Sequence, residues 1–163
     1  MEVTPTWLGV VTHLHVAPRA LLPMRGMDAI ELVEGRGIVG DRYMIGTEQG
    51  FYSEKPEDGR QVTLFEEEAL ECIRRDHNIT MLPEEHRRNV TTRGVPLNHL
   101  VGRRFRLGGC LLEATRLSFP CKHIEEILEK PVFDPMVHRS GLNCRILEGG
   151  TVRVDDPIRP AAA

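Results

Sequence analysis

The fold is decided by the stretch RFRLGGCLLEATRL, residues 104–117. Two strand-like runs, 104–107 and 111–117, flank the glycine pair at 108–109. Short apolar runs joined by two glycines are typical of a β-hairpin with a tight turn. The stretch therefore predicts an antiparallel strand pair, and the same pattern continues on both sides of it.

Strand-like runs recur along the chain; they lie at 7–16, 28–33, 89–92, 143–147 and 151–154. A second glycine pair, at 149–150, separates the last two runs and predicts a second hairpin. Regularly spaced short strands with few helices predict a mainly β fold, a β-barrel or closed sheet with a few short α-helices. The chain is predicted to form a single domain over 1–163, with a core at about 9–158 and a loose tail at 159–163. The sequence already has a loose pattern from Pro157 onward.

Apolar residues at helical spacing predict two helices. The first covers about 64–76 and has Leu64, Phe65 and Cys72 on its apolar face. The second covers about 122–129, with Ile124 and Ile127 directed inward. Between strand-like regions, residues 46–59 combine glycine, serine, proline and acidic residues, which predicts a mobile loop of the kind that is often functional.

Composition excludes several classes of function. The 163 residues are 40% hydrophobic and 28% charged, an ordinary globular balance, with a formal net charge of −3. A dedicated nucleic-acid binder normally carries a strong basic excess. No run approaches the ~18 apolar residues of a membrane span, and the N-terminus lacks a signal-peptide pattern. We therefore expect a cytoplasmic protein that binds neither nucleic acid nor a membrane.

The small net charge conceals an uneven distribution. Residues 48–85 contain eleven acidic residues against four Lys or Arg, whereas 86–123 contain one acidic residue against eight Lys or Arg. Such asymmetry indicates either a partner surface or two solvated faces that fold beside each other. The sequence leaves both interpretations open.

Four cysteines stand at 72, 110, 121 and 144, and no pair has Cys-x-x-Cys spacing. In a reducing compartment such thiols stay free. The ordinary interpretation of Cys72, Cys110 and Cys144 is a small buried hydrophobe, because each falls within a predicted helix or strand.

Cys121 differs from these, since it lies in the segment SFPCKH at 118–123. Pro120 precedes it and a helical pattern follows it, which places the thiol at or beside a helix N-terminus. A helix start and adjacent cations, here Lys122 and His123, are features that lower a thiol's pKa and populate the thiolate. Cys121 is therefore a candidate sulfur nucleophile, sulfur carrier or soft-metal ligand. The alternative is a buried structural thiol near a turn.

Three arginines that flank a predicted strand suggest an anion-binding site. Arg87 and Arg88 come directly before the strand-like run that begins at Asn89, and Arg93 follows that run. Guanidinium groups suit phosphate or carboxylate recognition. If these arginines converge on Cys121, the pocket would hold an anionic small molecule against a thiolate.

Two other features carry less weight. Asp41, in the glycine-containing segment GIVGDR at 37–42, is able to accept hydrogen bonds from a heterocycle, although a turn with a cap or salt bridge is the favoured interpretation. His13 and His15 lie two apart on a predicted strand, as metal ligands do. No third ligand is recognisable, so ordinary strand histidines are favoured.

The motifs, taken in order, resemble the MOSC domain, which is named for the C-terminal domain of molybdenum cofactor sulfurase. Each motif is weak alone, but the ordered series is fairly specific and spans about residues 9–158. The resemblance is to stand-alone, single-domain bacterial members. It is carried by GDRY at 40–43, GRQVTL at 59–64, RRNVTTRG at 87–94, LVGRRF at 100–105, PC at 120–121, HRSGL at 138–142 and GGTVRV at 149–154.

The resemblance implies a MOSC-type β-barrel with a characteristic cysteine in its pocket. Family members are associated with the molybdenum cofactor, a pterin dithiolene (molybdopterin) that bears a phosphate. In the sulfurases the domain receives sulfur as a cysteine persulfide, and in related reductases the equivalent cysteine ligates molybdenum. Pattern matching assigns that catalytic or metal-ligand role to Cys121. The candidate cofactor-binding residues around it are Asp41, Arg87, Arg88, Asn89, Arg93, Lys122, His123 and Arg139.

Three functions stay open at this point. The leading one is a molybdenum-cofactor-binding sulfur carrier or sulfur-transfer protein that acts with a sulfur-donor partner. The second is a molybdenum-dependent reductase component for N-hydroxylated substrates, with electrons from a redox partner protein. The third is a non-catalytic module that binds an anionic ligand or a protein.

Two departures from the family accompany the resemblance. The chain shows no aminotransferase-like domain, and therefore no pyridoxal phosphate site is evident in it. Asp155 stands where the family usually has glycine, and we expect this difference to affect the last turn rather than the pocket.

Overall fold

The computed structural model describes residues 1–45 and 59–162, so the loop predicted at 46–59 lies almost wholly outside the described residues. The strands of the described chain are β1 (Gly9–Val16), β2 (Arg25–Met27), β3 (Ala29–Val33), β4 (Gly37–Ile38), β5 (Val62–Glu66), β6 (Val90–Arg93), β7 (Arg104–Leu107), β8 (Cys110–Leu117), β9 (Leu142–Glu148), β10 (Gly150–Arg153) and β11 (Pro157–Pro160). The α-helices are α1 (Arg42–Ile45), α2 (Glu67–His77), α3 (Lys122–Leu128) and α4 (Phe133–Met136), and short 3₁₀ helices lie at Pro83–His86 and Leu97–His99.

Seven strands close into a barrel. Their order is β11-β7-β8-β9-β5-β6-β1, and pairing of β11 with β1 completes the ring, while β2 extends the sheet beyond β1. Only the β5–β6 pair is parallel among the pairings described. A second sheet of three strands, β10-β3-β4, packs beside the barrel. The predicted mainly β barrel with a few short helices is confirmed.

The barrel has an apolar core inside and a helical layer outside. Alternate residues of β5 show the division: Val62 and Leu64 belong to the interior core, whereas Phe65 belongs to a second apolar cluster on the outer face. That outer cluster joins α2, α3 and α4 through Ala69, Leu70, Ile73, Ile124, Val132 and Met136. Burial of these side chains stabilises the helices against the barrel, because each buried Leu, Ile, Val, Phe or Met contributes on the order of 1.5–3 kcal/mol.

The first predicted hairpin is confirmed and the second is wrong. β7 and β8 are antiparallel, with Leu107 opposite Cys110 across the two-glycine turn. After β9, by contrast, the chain leaves the barrel, and β10 pairs with β3 of the second sheet. A Cβ on Gly149 would overlap the carbonyl of Leu32, and Gly150 has a φ of 149°. The second glycine pair therefore allows the chain to pass close to β3 as it crosses from the barrel to the second sheet, and it does not form a tight turn.

The first predicted helix begins too early. Its proposed first turn, with Leu64 and Phe65, is strand β5, and the helix starts at Glu67. Both faces of β5 are buried, one by the barrel core and one by the outer cluster. A short run buried on both faces lacks the alternation that distinguishes a strand from a helix. The second predicted helix is confirmed as α3.

The prediction of a loose stretch from residue 157 onward is wrong for its first four residues. Residues 157–160 form β11, in which Ile158 is fully buried and lies opposite Leu107 of β7. This strand closes the barrel because it also pairs with β1. Just before it, Asp155 has a φ of 75°, the left-handed conformation that glycine adopts freely. The last turn thus keeps a glycine-like backbone despite the substitution.

In the described parts of the chain, no helix is both long enough and apolar enough to cross a membrane.

Candidate functional site

Cys121 is the N-terminal capping residue of α3, as its position before the helical pattern predicted. The helix that follows is fixed to the outer face of the barrel, because Ile124 is buried in the outer apolar cluster. The thiol itself is exposed. The alternative of a buried structural thiol is therefore wrong for this cysteine.

The other three cysteines are less accessible. Cys110 and Cys144 are fully buried, whereas Cys72 is half-buried on α2. Burial raises the pKa of Cys110 to about 11, and it raises the pKa of Cys144 even further. These two thiols therefore stay protonated and shielded near neutral pH, which leaves Cys121 as the most accessible sulfur of the four.

Cys121 lines a cleft of about 490 Å³. Residues from several separate segments line it: the end of β8 and the following loop, the start of α3, and single residues of α1, β5 and β9. The lining residues are Tyr43, Arg60, Thr63, Arg88, Arg116, Leu117, Ser118, Phe119, Pro120, Cys121, Lys122 and Asn143.

The floor of the cleft is a polar row across three adjacent strands. Arg116 of β8 lies opposite Asn143 of β9, which in turn lies opposite Thr63 of β5. A register shift between Ala114 and Arg116 places an extra residue, Thr115, in β8. Such a bulge redirects the side chains that follow it. The bulge therefore brings Arg116 to the cleft side instead of the barrel interior, which takes Ala114.

Arg88 connects the back of the cleft to the segment that carries the thiol. Its guanidinium donates to the backbone carbonyls of Ser140 (3.0 Å), His86 (3.2 Å) and Phe119 (3.2 Å). The side chain is 8% exposed. Because Phe119 lies two residues before Cys121, Arg88 fixes the backbone that positions the thiol as well as placing a cation in the cleft.

His86 supports Arg88 from the barrel side. The Nδ1 atom of His86 accepts from the Arg88 backbone N–H at 2.9 Å, and Nε2 lies 2.8 Å from the hydroxyl of Thr91. Its ring stacks on Phe65 at 4.3 Å between centroids. Burial, reinforced by the charge of Arg88, holds the pKa of His86 well below its ordinary value. The ring is therefore neutral, with its proton on Nε2, near neutral pH.

Asp41 lies behind the cleft rather than in it. It is fully buried, and its carboxylate accepts from the backbone N–H of Ala17 at 3.1 Å and pairs with Arg42 at 3.1 Å. Arg42 in turn donates to the hydroxyl of Tyr43 at 3.0 Å and to the carbonyl of Arg87 at 2.9 Å. Asp41 thus orients Arg42, and through it Tyr43, which lines the cleft.

Asn89 has a comparable supporting role. It is fully buried, and its side-chain oxygen accepts from the backbone N–H and the hydroxyl of Thr63 at 3.1 and 3.0 Å. Its amide nitrogen donates to the carbonyl of His15 at 3.2 Å. These bonds join the parallel strands β5 and β6 at the point where Thr63 forms the cleft floor.

The remaining predicted residues lie elsewhere. Arg87 donates to the carbonyl of Leu22 at 2.7 Å, and Arg93 pairs with Glu71 on α2 at 2.9 Å. Arg139 joins the carbonyl of Pro135 to Asp76. The expected convergence of Arg87, Arg88 and Arg93 on Cys121 is therefore wrong except for Arg88. The ion pair between Arg93 of the basic region and Glu71 of the acidic region agrees with solvated faces that fold beside each other.

His123, on the first turn of α3, also lies outside the cleft lining. Its Nδ1 atom is 3.6 Å from a carboxylate oxygen of Glu126, one turn along the helix. Of the two residues that follow the thiol, only Lys122 therefore lines the cleft.

Electropositive character is the main property of the cleft. Four cations line it, and no Asp or Glu is among the described residues that do so. Arg88 and Lys122 were predicted, whereas Arg60 and Arg116 were not. Arg60 is the second residue of the motif GRQVTL, which was a usable signal, but the contribution of Arg116 depends on the bulge and leaves no sequence signature.

The histidine pair of β1 lies on one strand without further candidate metal ligands beside it among the described residues. His13 and His15 stack at 6.4 Å between ring centroids, as ordinary strand neighbours. Burial lowers the pKa of His15. Across residues 1–45 and 59–162, no group of three or more His, Cys, Asp or Glu side chains is placed to hold a metal ion. Among the described residues, a metal at Cys121 would thus have at most two protein ligands from that set.

A smaller apolar cleft of about 350 Å³ lies on the other side of the segment that carries the thiol. Both clefts share residues 117–120, and Phe133, Val137 and Gly141 line only the apolar one. Phe119 is 76% exposed in this shared wall. An apolar surface is thus available next to the cationic cleft.

Together these features define a closed, mainly β barrel that presents an accessible thiol in a cationic cleft. The family model for the MOSC domain matches residues 32–159, and the chain therefore belongs to the MOSC domain family. That family is associated with the molybdenum cofactor. No curated protein matches the chain.

Solved structures share the fold. The YuaD protein from Bacillus subtilis superimposes with a TM-score of 0.78 at 22% identity, over 94% of this chain and 97% of that one. YiiM from Geobacillus stearothermophilus gives 0.72 at 10% identity, over 94% and 75%. YiiM from Escherichia coli gives 0.64 at 17% identity, over 98% and 71%. At these identities the similarity establishes the shared barrel alone.

Proposed function

We propose that this protein is a sulfur carrier that holds sulfur as a persulfide on Cys121 and acts on the molybdenum cofactor. The observation that carries the proposal is the position of one exposed thiol among four cationic side chains in a single cleft. A thiolate and a deprotonated persulfide both carry a negative charge, so cations that line the same cleft attract either form. The free thiols of the chain suit a reducing cytoplasm, where we place this activity.

The residues of the cleft fit the chemistry of the cofactor. Arg60, Arg88 and Arg116 provide guanidinium donors for a phosphate, and Cys121 provides a soft sulfur for molybdenum. Asn143 and Thr63, on the floor between them, are able to hydrogen-bond a heterocycle. When bound, the cofactor would supply molybdenum as the site that uses the delivered sulfur.

The proposed transfer needs no external oxidant. The thiolate of Cys121 attacks the outer sulfur of a donor persulfide, R–S–SH. A new S–S bond forms to the Sγ atom, the S–S bond of the donor breaks, and the donor leaves as the thiolate R–S⁻. In the second step a nucleophilic acceptor takes the outer sulfur, and Cys121 returns to thiolate. The oxidation level is carried by the transferred sulfur throughout.

Persulfide transfer tests this proposal. The protein is incubated with cysteine persulfide, freed of excess donor, and treated with cyanide as a small acceptor. We expect one sulfur atom per chain to be released as thiocyanate from the wild type and from Cys72→Ala, and none from Cys121→Ala. Equal release from Cys121→Ala and the wild type would overturn the proposal, because the sulfur would then be held elsewhere.

A second candidate is the reductase component for N-hydroxylated substrates, with Cys121 as a molybdenum ligand. The apolar cleft next to Cys121 favours it, because that cleft is large enough to receive the body of a small organic substrate. Metal analysis of protein from a cofactor-producing host separates the two candidates. Molybdenum that is retained by the wild type and lost in Cys121→Ala, without persulfide transfer, would favour the reductase.

A further inference from the structure

A second and larger groove lies away from the Cys121 cleft, and the two share no lining residue. It has a volume of about 950 Å³ and runs between the N-terminal segment, the region around 96–106, and the end of β11. Its lining residues are Val3, Pro5, Trp7, Pro96, His99, Leu100, Gly102, Arg103, Arg104, Arg106, Leu111, Arg159, Pro160, Ala161 and Ala162. Small-molecule sites typically have volumes of about 300–1,000 Å³, so the groove is large enough for an extended ligand.

Positive charge is concentrated in this groove. Four arginines line it, and no Asp or Glu does so among the described residues. Arg104 and Arg106 pair with Glu113 (3.5 Å) and Glu148 (2.5 Å), which lie on neighbouring strands outside the groove. Within the described chain, the guanidinium groups of Arg103 and Arg159 have no hydrogen bond or ion pair. The groove therefore offers two unneutralised guanidinium groups to a ligand.

The strand register places two of these arginines side by side. Arg159 of β11 lies directly opposite Arg106 of β7, and both side chains point outward because Ile158 and Leu107 point into the core. Like charges directly opposite each other on adjacent strands repel. Arg106 relieves part of this repulsion by pairing with Glu148, but Arg159 does not share that partner. An anion bound between β7 and β11 would remove the remaining repulsion.

Apolar residues complete the groove. Trp7 is half-buried, packs edge-on against Phe105 at 6.5 Å between ring centroids, and lines the groove. Pro5, Leu100 and Pro160 extend this apolar surface. A bare phosphate would use the arginines and leave the apolar area uncovered. A ligand with a flat ring at one end and several anionic groups at the other would use both.

We propose that this groove binds a nucleotide-class ligand, with the ring against Trp7 and the phosphates at the arginines. Arg103 and Arg159 are the residues that hold the phosphates, because their donors are available. The site is independent of sulfur transfer at Cys121.

Trp7 is the only tryptophan of the chain, so its fluorescence reports on the groove directly. The full-length protein is titrated with ATP, adenosine and tripolyphosphate, with excitation at the red edge of tryptophan absorption, where adenine does not absorb. Isothermal titration calorimetry is run on the same three probes. We expect saturable quenching by ATP, and binding of each partial probe weaker by about tenfold or more, because each lacks one set of contacts.

Matched charge-removing variants locate the site. Arg103→Ala combined with Arg159→Ala is expected to raise the dissociation constant for ATP about tenfold or more. Arg25→Ala combined with Arg36→Ala removes the same charge from exposed arginines outside the groove, and less than about a twofold change is expected. Equal weakening by the two double variants would overturn the proposal. So would the absence of ATP binding by calorimetry, or equal binding of ATP and tripolyphosphate.

Discussion

Replacement of Arg88 by methionine gives the sharpest prediction for the architecture of the cleft. Methionine has a similar length, but it lacks the donors that reach Ser140, His86 and Phe119 at 3.0–3.2 Å. Hydrogen bonds from a charged donor contribute about 1.5–3 kcal/mol each, and contributions within one network do not add fully. We expect Arg88→Met to lower the free energy of unfolding by about 3–5 kcal/mol, because three carbonyl acceptors lose their charged donor at once.

Urea unfolding, followed by circular dichroism, measures this loss. Arg88→Lys is the matched control, because it keeps the charge while a single nitrogen cannot reach three carbonyls. We expect at least half of the loss in that variant. The loss should be accompanied by altered alkylation of Cys121, since the carbonyl of Phe119 is released two residues before the thiol. A loss below about 1 kcal/mol in Arg88→Met would refute the proposed role of this network.

Three further predictions concern the cleft and the residues that hold its surroundings in place. Arg116→Met should reduce the ratio of the iodoacetate rate constant to the iodoacetamide rate constant at Cys121 roughly two- to fivefold, because only iodoacetate is anionic. An unchanged ratio would contradict a cationic cleft. Because the pKa of His86 is lowered in the folded state, the unfolded chain binds more protons than the folded chain below about pH 6.5. The free energy of unfolding should therefore fall by up to about 1.4 kcal/mol for each unit by which the pH is lowered in that range. Urea titrations should show a shallower pH dependence for His86→Gln, and an identical slope would contradict this assignment. Gly141→Ala should lower the free energy of unfolding by about 2–4 kcal/mol, because Gly141 has a φ of 98° and a Cβ there would overlap the carbonyl of Leu64. Thermal unfolding of the variant that is indistinguishable from the wild type would contradict this prediction.

Most strands of the barrel could be predicted from the sequence, because their apolar residues alternate or flank a tight turn. β7 begins and ends at the predicted residues. β6, β8 and β9 of the barrel, and β3 and β10 of the second sheet, differ from prediction by at most one residue at either end. The errors have a common physical cause. β5 is covered on both faces, and β11 is four residues long with a proline at each end, so neither carries the periodicity of a half-buried strand.

Residues of the candidate site could be predicted only where a local sequence pattern marks them. Cys121 was found because a proline and a helical pattern surround it. Arg116 was missed because a bulge, visible only in the strand pairing, brings it to the cleft. Asp41 and Asn89 were predicted as cofactor ligands, but their side-chain contacts are with the protein itself, where they hold Arg42 and Thr63 in place. Sequence pattern identified the neighbourhood of the cleft but not which side chains face into it.

The central claim is that Cys121 carries sulfur in a cationic cleft. Tandem mass spectrometry of the native protein, purified without reductant and exposed to cysteine persulfide, tests it most directly. We expect one added sulfur atom on the peptide that contains Cys121, with Cys72, Cys110 and Cys144 unmodified. Sulfur distributed equally between Cys72 and Cys121, or no sulfur on Cys121, would contradict it.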